Sequence, residues 1–418
     1  MFQSFFPKPR VFFPSVAVWI AVAVALWYSY GKTLGVDLGF PEEAAGASPI
    51  IGLGYFTTPA FIWFYIYCGA FTATFTVFWA IYAPHKYLWW SVAGSALIVF
   101  LDYYNVQTSV VINYWQRPFW DAFQQALSGK PIPAGDFYHQ IGVFSQIAFV
   151  SVGVSVLTRF FTSHYVFRWR MAMNDYYVSR WPEVRSIEGA AQRVQEDTMR
   201  FAVIVEELGI SLVDSLLTLL AFLPVLAALS GSVKTLPIVG VIPEPLVFAA
   251  ILWSLFGTVL LAAAGMKLPN LAFRNQRVEA AYRKELVYGE DDAARADPLT
   301  VAELFDNVRK RYFTYYFHYV YFNVFRYMYS QADNVFVFLI MIPTVVAAKI
   351  TFGIFNQIVS AFGQVSGSFQ YLVQSWSTII ELLSIQKRLK AFEAAFEGRR
   401  LGGIEKEPEP VPIPGAKL

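Results

Sequence analysis

Long, mostly apolar stretches recur along almost the whole 418-residue chain: about 11–30, 55–83, 88–112, 137–161, 201–229, 245–266, 314–342 and 350–383. A helix of about 20 predominantly apolar residues crosses the hydrocarbon core of a bilayer. In lipid the backbone must satisfy its own hydrogen bonds, and the ten-residue apolar/polar alternation of barrel strands is absent, so these stretches are predicted to be helices. The expected fold is therefore all-α, a polytopic membrane protein with about eight transmembrane helices. The last stretch is the weakest, interrupted by Asn356, Gln357, Gln364 and Gln370, so a count of seven stays open. Composition agrees: aromatic residues make up 18% and charged residues only 15%, well below the roughly 25% charged of a soluble globule. Disorder is excluded by the same figures, because 56% apolar residues supply abundant burial.

The connections orient these helices, since cytoplasmic loops carry an excess of Lys and Arg. With a cytoplasmic N-terminus, the inside segments 1–10, 84–87, 162–200, 267–313 and 384–418 hold 25 of the 32 basic residues. The outside loops hold five, Lys32, Arg117, Lys130, Lys234 and Lys349, while Arg159 and Arg326 fall within spans. Both termini are thus expected in the cytoplasm, which favours an even number of crossings. The first apolar run follows the basic stretch MFQSFFPKPR like the start of a signal peptide, but it ends in Trp27, Tyr28, Ser29 and Tyr30 without a small-residue cleavage site, so a retained helix is expected.

Two inside segments, 162–200 and 267–313, are charged and rich in helix formers, so the membrane helices are predicted to continue into the cytoplasm. The layout divides into a two-helix N-terminal membrane extension (1–87), a six-helix transmembrane domain (88–383) with those two cytoplasmic extensions, and a C-terminal tail (384–418). The tail ends in the Pro-rich string EPEPVPIPGAKL, expected to be partly disordered.

Other chemistries find little support. A formal net charge of +2 gives no basic footprint for nucleic acid. His85, His139, His164 and His318 stand far apart without metal-ligand spacing, so no metal site is expected. A lone Cys68 in an apolar run forms no internal disulfide, and no G-x-S-x-G elbow occurs, so an enzyme is not expected. The phosphate-cradling string G-x-x-x-x-G-K-[ST] is also missing, which argues against an ATP site in the chain.

Particular strings carry a family resemblance. SHYVFRWR at 163–170, EGAAQRVQEDTMRFA at 188–202, KLPNLAFRNQRVEAAYRKELVYGEDDA at 267–293 and YFHYVYFN at 316–323, with FFPKP near the start, resemble the SbmA/BacA peptide uptake permeases of bacterial inner membranes. The cytoplasmic-loop strings also resemble the peroxisomal fatty-acyl branch of ABC exporters. The resemblance implies an ABC-exporter-like transmembrane core plus two N-terminal helices, working as a homodimer in the bacterial inner membrane. It implies import of peptides, including antimicrobial and proline-rich ones, from periplasm to cytoplasm, driven by the proton gradient and without a cofactor. Little chain follows the last span, so ATP drive is expected to require a separate subunit.

Proton coupling calls for carboxyl groups that lose and regain a proton, and intramembrane acids usually face an interior cavity. The family's cavity glutamates map by matching strings onto Glu206 in RFAVIVEELG, Glu279 in NQRVEAAYRKE and Glu290 in LVYGEDD. On a helix, Glu279 and Glu290 lie on one face about 16 Å apart along the axis. The alternative for both is a solvated helix surface paired with Arg283 and Lys284. Glu207 and Asp214 share a face next to that of Glu206. Asp102 and Asp333 lie within apolar segments, where a transport role and structural pairing with Arg117, Arg159 or Arg326 stand as equal readings. Glu196 and Asp197 are read as structural loop contacts. In the aromatic run YYFHYVYFNVFRYMY at 315–329, Tyr319, Phe322 and Arg326 are candidates for a substrate-cavity wall, through cation–π contact and stacking, against the alternative of lipid contact.

Two other readings remain at this stage. One is the transmembrane half of an ABC transporter for peptides or fatty-acyl compounds, served by a separate ATPase. The other is a membrane protein of envelope lipid modification that transports nothing.

Overall fold

The computed structural model describes residues 1–41, 49–185, 190–233, 236–237, 240–292 and 294–396. The described residues fold into helices in the order α1 (Pro9–Leu26), α2 (Lys32–Asp37), α3 (Pro59–Tyr82), α4 (Ser95–Leu127), α5 (Ala134–Val178), α6 (Trp181–Val184), α7 (Ala190–Gln192), α8 (Thr198–Ser230), α9 (Pro245–Gly265), α10 (Leu268–Asp291), α11 (Pro298–Val346), α12 (Phe352–Gln374) and α13 (Trp376–Phe396). Prolines open α1, α3, α9 and α11, where the missing N–H costs nothing because the first turn has no acceptor for it. π-helical turns, Trp27–Gly31, Trp89–Gly94 and Arg193–Asp197, join α1 to α2 and lead into α4 and α8.

Among the described residues seven helical segments are long and apolar enough to cross a membrane, and the chain is an all-α, multi-pass membrane protein. The eighth predicted segment is present as α12, but it is less apolar than the other seven. Its position explains this: α12 packs between α4, α8 and α9, so its Gln357, Ser366 and Ser368 are buried against protein. A helix surrounded by other helices can carry polar groups that a lipid-facing helix cannot.

Of the segments expected as extensions, 162–200 continues α5 to Val178 before shorter turns lead into α8, and 267–313 consists of α10 and the first part of α11. α5 runs for 45 residues and α11 for 49. At 1.5 Å per residue these span about 67 and 73 Å, more than twice the roughly 30 Å hydrocarbon thickness. α10 pairs closely with the first part of α11 as a two-helix arm, while the later part of α11 packs on α9 and α12. Of the tail at 384–418, residues up to 396 complete α13, and the Pro-rich end lies outside the described residues.

Two large apolar clusters hold the bundle at opposite ends. In one, Met1, Phe5 and Phe6 pack with Trp169 and Met173 of α5, Phe201 of α8 and Leu389 of α13. Phe5 is fully buried and stacks on Trp169 with ring centroids 5.7 Å apart. Beside this cluster Asp197, 2% exposed, accepts from Arg193 and from Arg388 Nη2, each at 2.8 Å, clamping α13 onto the start of α8. The structural reading of Asp197 is what the structure shows. In the other cluster Phe222 and Leu226 of α8 meet Leu246 of α9, Met341 of α11 and Phe362 of α12.

α12 begins on an unusual cap. The backbone N–H groups of Phe352 and Gly353 donate to Gln124 Oε1 (2.9 Å) and Asp121 Oδ1 (2.8 Å) on α4. A Cβ at Gly353 would collide with the Arg117 carbonyl and the Asp121 side chain, so glycine permits this close approach.

Candidate functional site

Between the two clusters, three helices place polar stripes at the same level. α4 presents Asp102 and Asn105, one turn apart; α5 presents Ser155, Thr158 and Arg159; α8 presents Glu206, Glu207, Ile210, Ser211 and Asp214. The spacings of three and four residues put each stripe on one helix face. Together they line a cavity of about 310 Å³. Four carboxyl groups thus face one space with a single guanidinium.

The four acids have different surroundings. Glu206 Oε1 accepts from the Ser163 hydroxyl at 2.7 Å and lies 3.3 Å from Arg159 Nη2. Its charge therefore has both a counter-ion and a donor. Asp102 is 3% exposed, and its Oδ2 has no hydrogen-bond partner among the described residues. Asp214 lines the same cavity from α8. Glu207 lies on the exposed side of the same wall.

The structure thus brings together Glu206, Glu207, Asp214 and Asp102, which the sequence distributes over more than a hundred residues. Arg159, weighed as a partner for Asp102 or Asp333, instead serves Glu206. Asp333 is satisfied by neutral donors: Trp253 Nε1 and Ser366 Oγ donate to its Oδ1, each at 2.8 Å, and Gln370 Nε2 to its Oδ2 at 3.1 Å. That junction ties α9, α11 and α12 together, and its signal in sequence was only the polar face of α12.

Glu279 and Glu290 lie elsewhere, on the α10–α11 arm. Glu279 faces the Tyr312 hydroxyl of α11, and Glu290 is exposed. Tyr319 and Phe322 lie further along α11 with ring centroids 6.0 Å apart, Phe322 packing against Gly265. Neither of these rings, nor Arg326, lines the acidic cavity. Sequence reasoning missed Asn105, Ser155, Thr158 and Ser211, small polar residues that carry no motif. Among the described residues no group of three or more His, Cys, Asp or Glu side chains is placed to hold a metal ion.

A model of the SbmA/BacA-like family matches residues 84–397. An uncharacterized ABC transporter ATP-binding protein of Synechocystis sp. is 23% identical over 404 residues, 91% of this chain and 58% of that protein. The inner membrane ABC transporter ATP-binding protein YddA of Escherichia coli is 23% identical over 326 residues, covering 70% of this chain and 55% of that protein. The chloroplastic ABC transporter D family member 2 of Arabidopsis thaliana is 24% identical over 255 residues, 54% of this chain and 33% of that protein. The chain thus spans little more than half the length of the first two relatives.

Proposed function

Because the chain belongs to the SbmA/BacA-like family, we propose that it is a membrane transporter that imports peptides, antimicrobial and proline-rich ones among them, from periplasm to cytoplasm at the expense of the proton gradient. The observation that carries this reading is the charge imbalance of the cavity between α4, α5 and α8. With every group ionised, its four carboxylates and one guanidinium leave three negative charges uncompensated inside a lipid-spanning bundle. Such a site is costly unless it takes up cations or protons.

Protonation from the periplasmic side discharges the cavity and removes the repulsion between α4 and α8. Release towards the cytoplasm restores it, so the two protonation states favour different helix spacings. Glu206 connects this cavity to α5 through Arg159 and Ser163, which makes it the residue through which a change of charge shifts the helices. Glu279 and Glu290 act on the α10–α11 arm. In a homodimer the arm reaches over a second copy, which is how these glutamates join one continuous pathway. The excess of Lys and Arg in segments 1–10, 84–87, 162–200, 267–313 and 384–418 supports a reading with both termini in the cytoplasm.

Glu206→Gln is expected to abolish uptake of a fluorescent proline-rich peptide into cells, with expression and assembly unchanged. Normal uptake in both Glu206→Gln and Glu279→Gln would overturn the proposal.

The relatives favour a second reading. Two of them are named ABC transporter ATP-binding proteins, and the chain matches little more than half of each. On that reading this chain is the membrane half of an ABC transporter for peptides or fatty-acyl compounds, with ATP hydrolysis supplied by another subunit. It predicts vanadate-sensitive uptake and an ATPase that copurifies; the first reading predicts neither.

A further inference from the structure

The polar groups around Asp102 differ from those around Glu206 in a way that points to a ligand other than a proton. The hydroxyls on this part of the wall have already donated their hydrogens within the protein. Ser155 Oγ donates to Asn105 Oδ1 at 3.1 Å, Thr158 Oγ1 to the Val154 carbonyl at 2.9 Å, and Ser211 Oγ to the Glu207 carbonyl at 3.0 Å. What these oxygens turn to the cavity is lone pairs. Asp102 adds a carboxylate that is 3% exposed with an unpartnered Oδ2, and Asp214 of α8 adds a second carboxylate to the lining of the same cavity. Arg159, the cavity's cation, is engaged by Glu206. α12, packed against both α4 and α8, contains no charged residue between Phe352 and Gln374. Three hydroxyl oxygens whose hydrogens are spent, beside two carboxylates, are the complement of a small hard cation.

We propose that Asp102 and Asp214 bind a Na⁺ ion between α4 and α8, with the oxygens of Ser155, Thr158 and Ser211 in its shell. A divalent ion fits less well. Ca²⁺ sites draw on several carboxylates and Mg²⁺ on a near-octahedral shell, whereas here two carboxylates stand among neutral hydroxyls, and no three metal-binding side chains converge among the described residues. Na⁺ at this position neutralises part of the charge between α4 and α8 and so sets the helix spacing at which Glu206 works. The inference rests on the cavity being the ion-handling part of the protein, as proposed above, but on neither its cargo nor its energy source.

The test is thermal unfolding of the purified full-length protein in detergent, in NaCl against choline chloride at equal ionic strength, with KCl, MgCl₂ and CaCl₂ as further arms. The expected result is a saturable rise in Tm in Na⁺ over choline, larger than in any other salt. It is lost in Asp102→Asn and in Asp214→Asn. Equal melting in Na⁺ and choline, a larger shift in a divalent salt, or a Na⁺ shift kept in the aspartate variants would each overturn the proposal. If Asp102→Asn does not fold, Asp214→Asn together with Ser155→Ala decides. Peptide uptake plays no part in this readout, so failure here and failure of the transport reading are separable.

Discussion

Glu206 and Asp102 line one cavity, yet their surroundings assign them different work. Glu206 has an ion-pair partner at 3.3 Å and a hydroxyl donor at 2.7 Å; Asp102 has an unpartnered oxygen. Residues that act as one unit give non-additive effects. Arg159→Gln is therefore expected to impair uptake as Glu206→Gln does, and the double variant to be no worse than the poorer single one; additive losses in the same uptake assay would contradict the pairing. A second prediction concerns packing. A Cβ at Gly257 would collide with the ring of Tyr329, which is 3% exposed and donates to the Trp253 carbonyl at 3.3 Å. Gly257→Ala should cost about 1–3 kcal/mol by overpacking, read as a lower Tm. Part of this scale was legible in the sequence: an acid such as Asp102 or Asp214 stands out in an apolar segment, and Glu206 lies in a family-like string. That Asp102, Thr158 and Glu206 face one another was not, because nothing local encodes which faces of three separate helices meet. Asp333 shows the same limit, since its three donors come from two other helices.

At the scale of elements, apolar runs located the helices well because lipid rewards the property that hydropathy reads. They marked α12 only weakly because its neighbours are helices rather than lipid. The lengths of α5 and α11 were legible only as charged, helix-prone sequence beyond the spans. The attachment of the N-terminal stretch was not legible, since MFQSFFPKPR reads equally well as the basic start of a signal peptide. In the structure it is an anchor, with Phe5 buried under Trp169, Tyr87 and Tyr165. Phe5→Ala is expected to lower stability by about 3–5 kcal/mol, as for other large-to-small core changes. Val18→Ala on the outward face of α1, 63% exposed, should leave Tm nearly unchanged. Comparable losses from the two would contradict the anchor. Removing the α12 cap by Asp121→Ala should cost about 0.5–2 kcal/mol. Gly353→Ala, which forces α12 away from α4, should cost more, and the order of the two Tm values checks it.

At the scale of the whole molecule, the fold places an acidic cavity mid-bundle between two apolar clusters and projects a helical arm with two further glutamates. In the proposed homodimer the arm covers a second copy, and native mass spectrometry is expected to return the mass of two chains; the mass of one chain would contradict it. The orientation drawn from basic residues predicts that, in a Cys68→Ser background, Lys349→Cys is labelled by a membrane-impermeant reagent from the periplasm and Asp292→Cys is not. The reverse pattern would invert the direction of transport. The central claim is tested most directly by peptide accumulation in liposomes that contain this purified protein alone, with an imposed pH gradient and no ATP. The account predicts accumulation of a fluorescent proline-rich peptide that collapses with a protonophore and is absent with Glu206→Gln. Correctly inserted, folded protein that accumulates nothing under the gradient would contradict it.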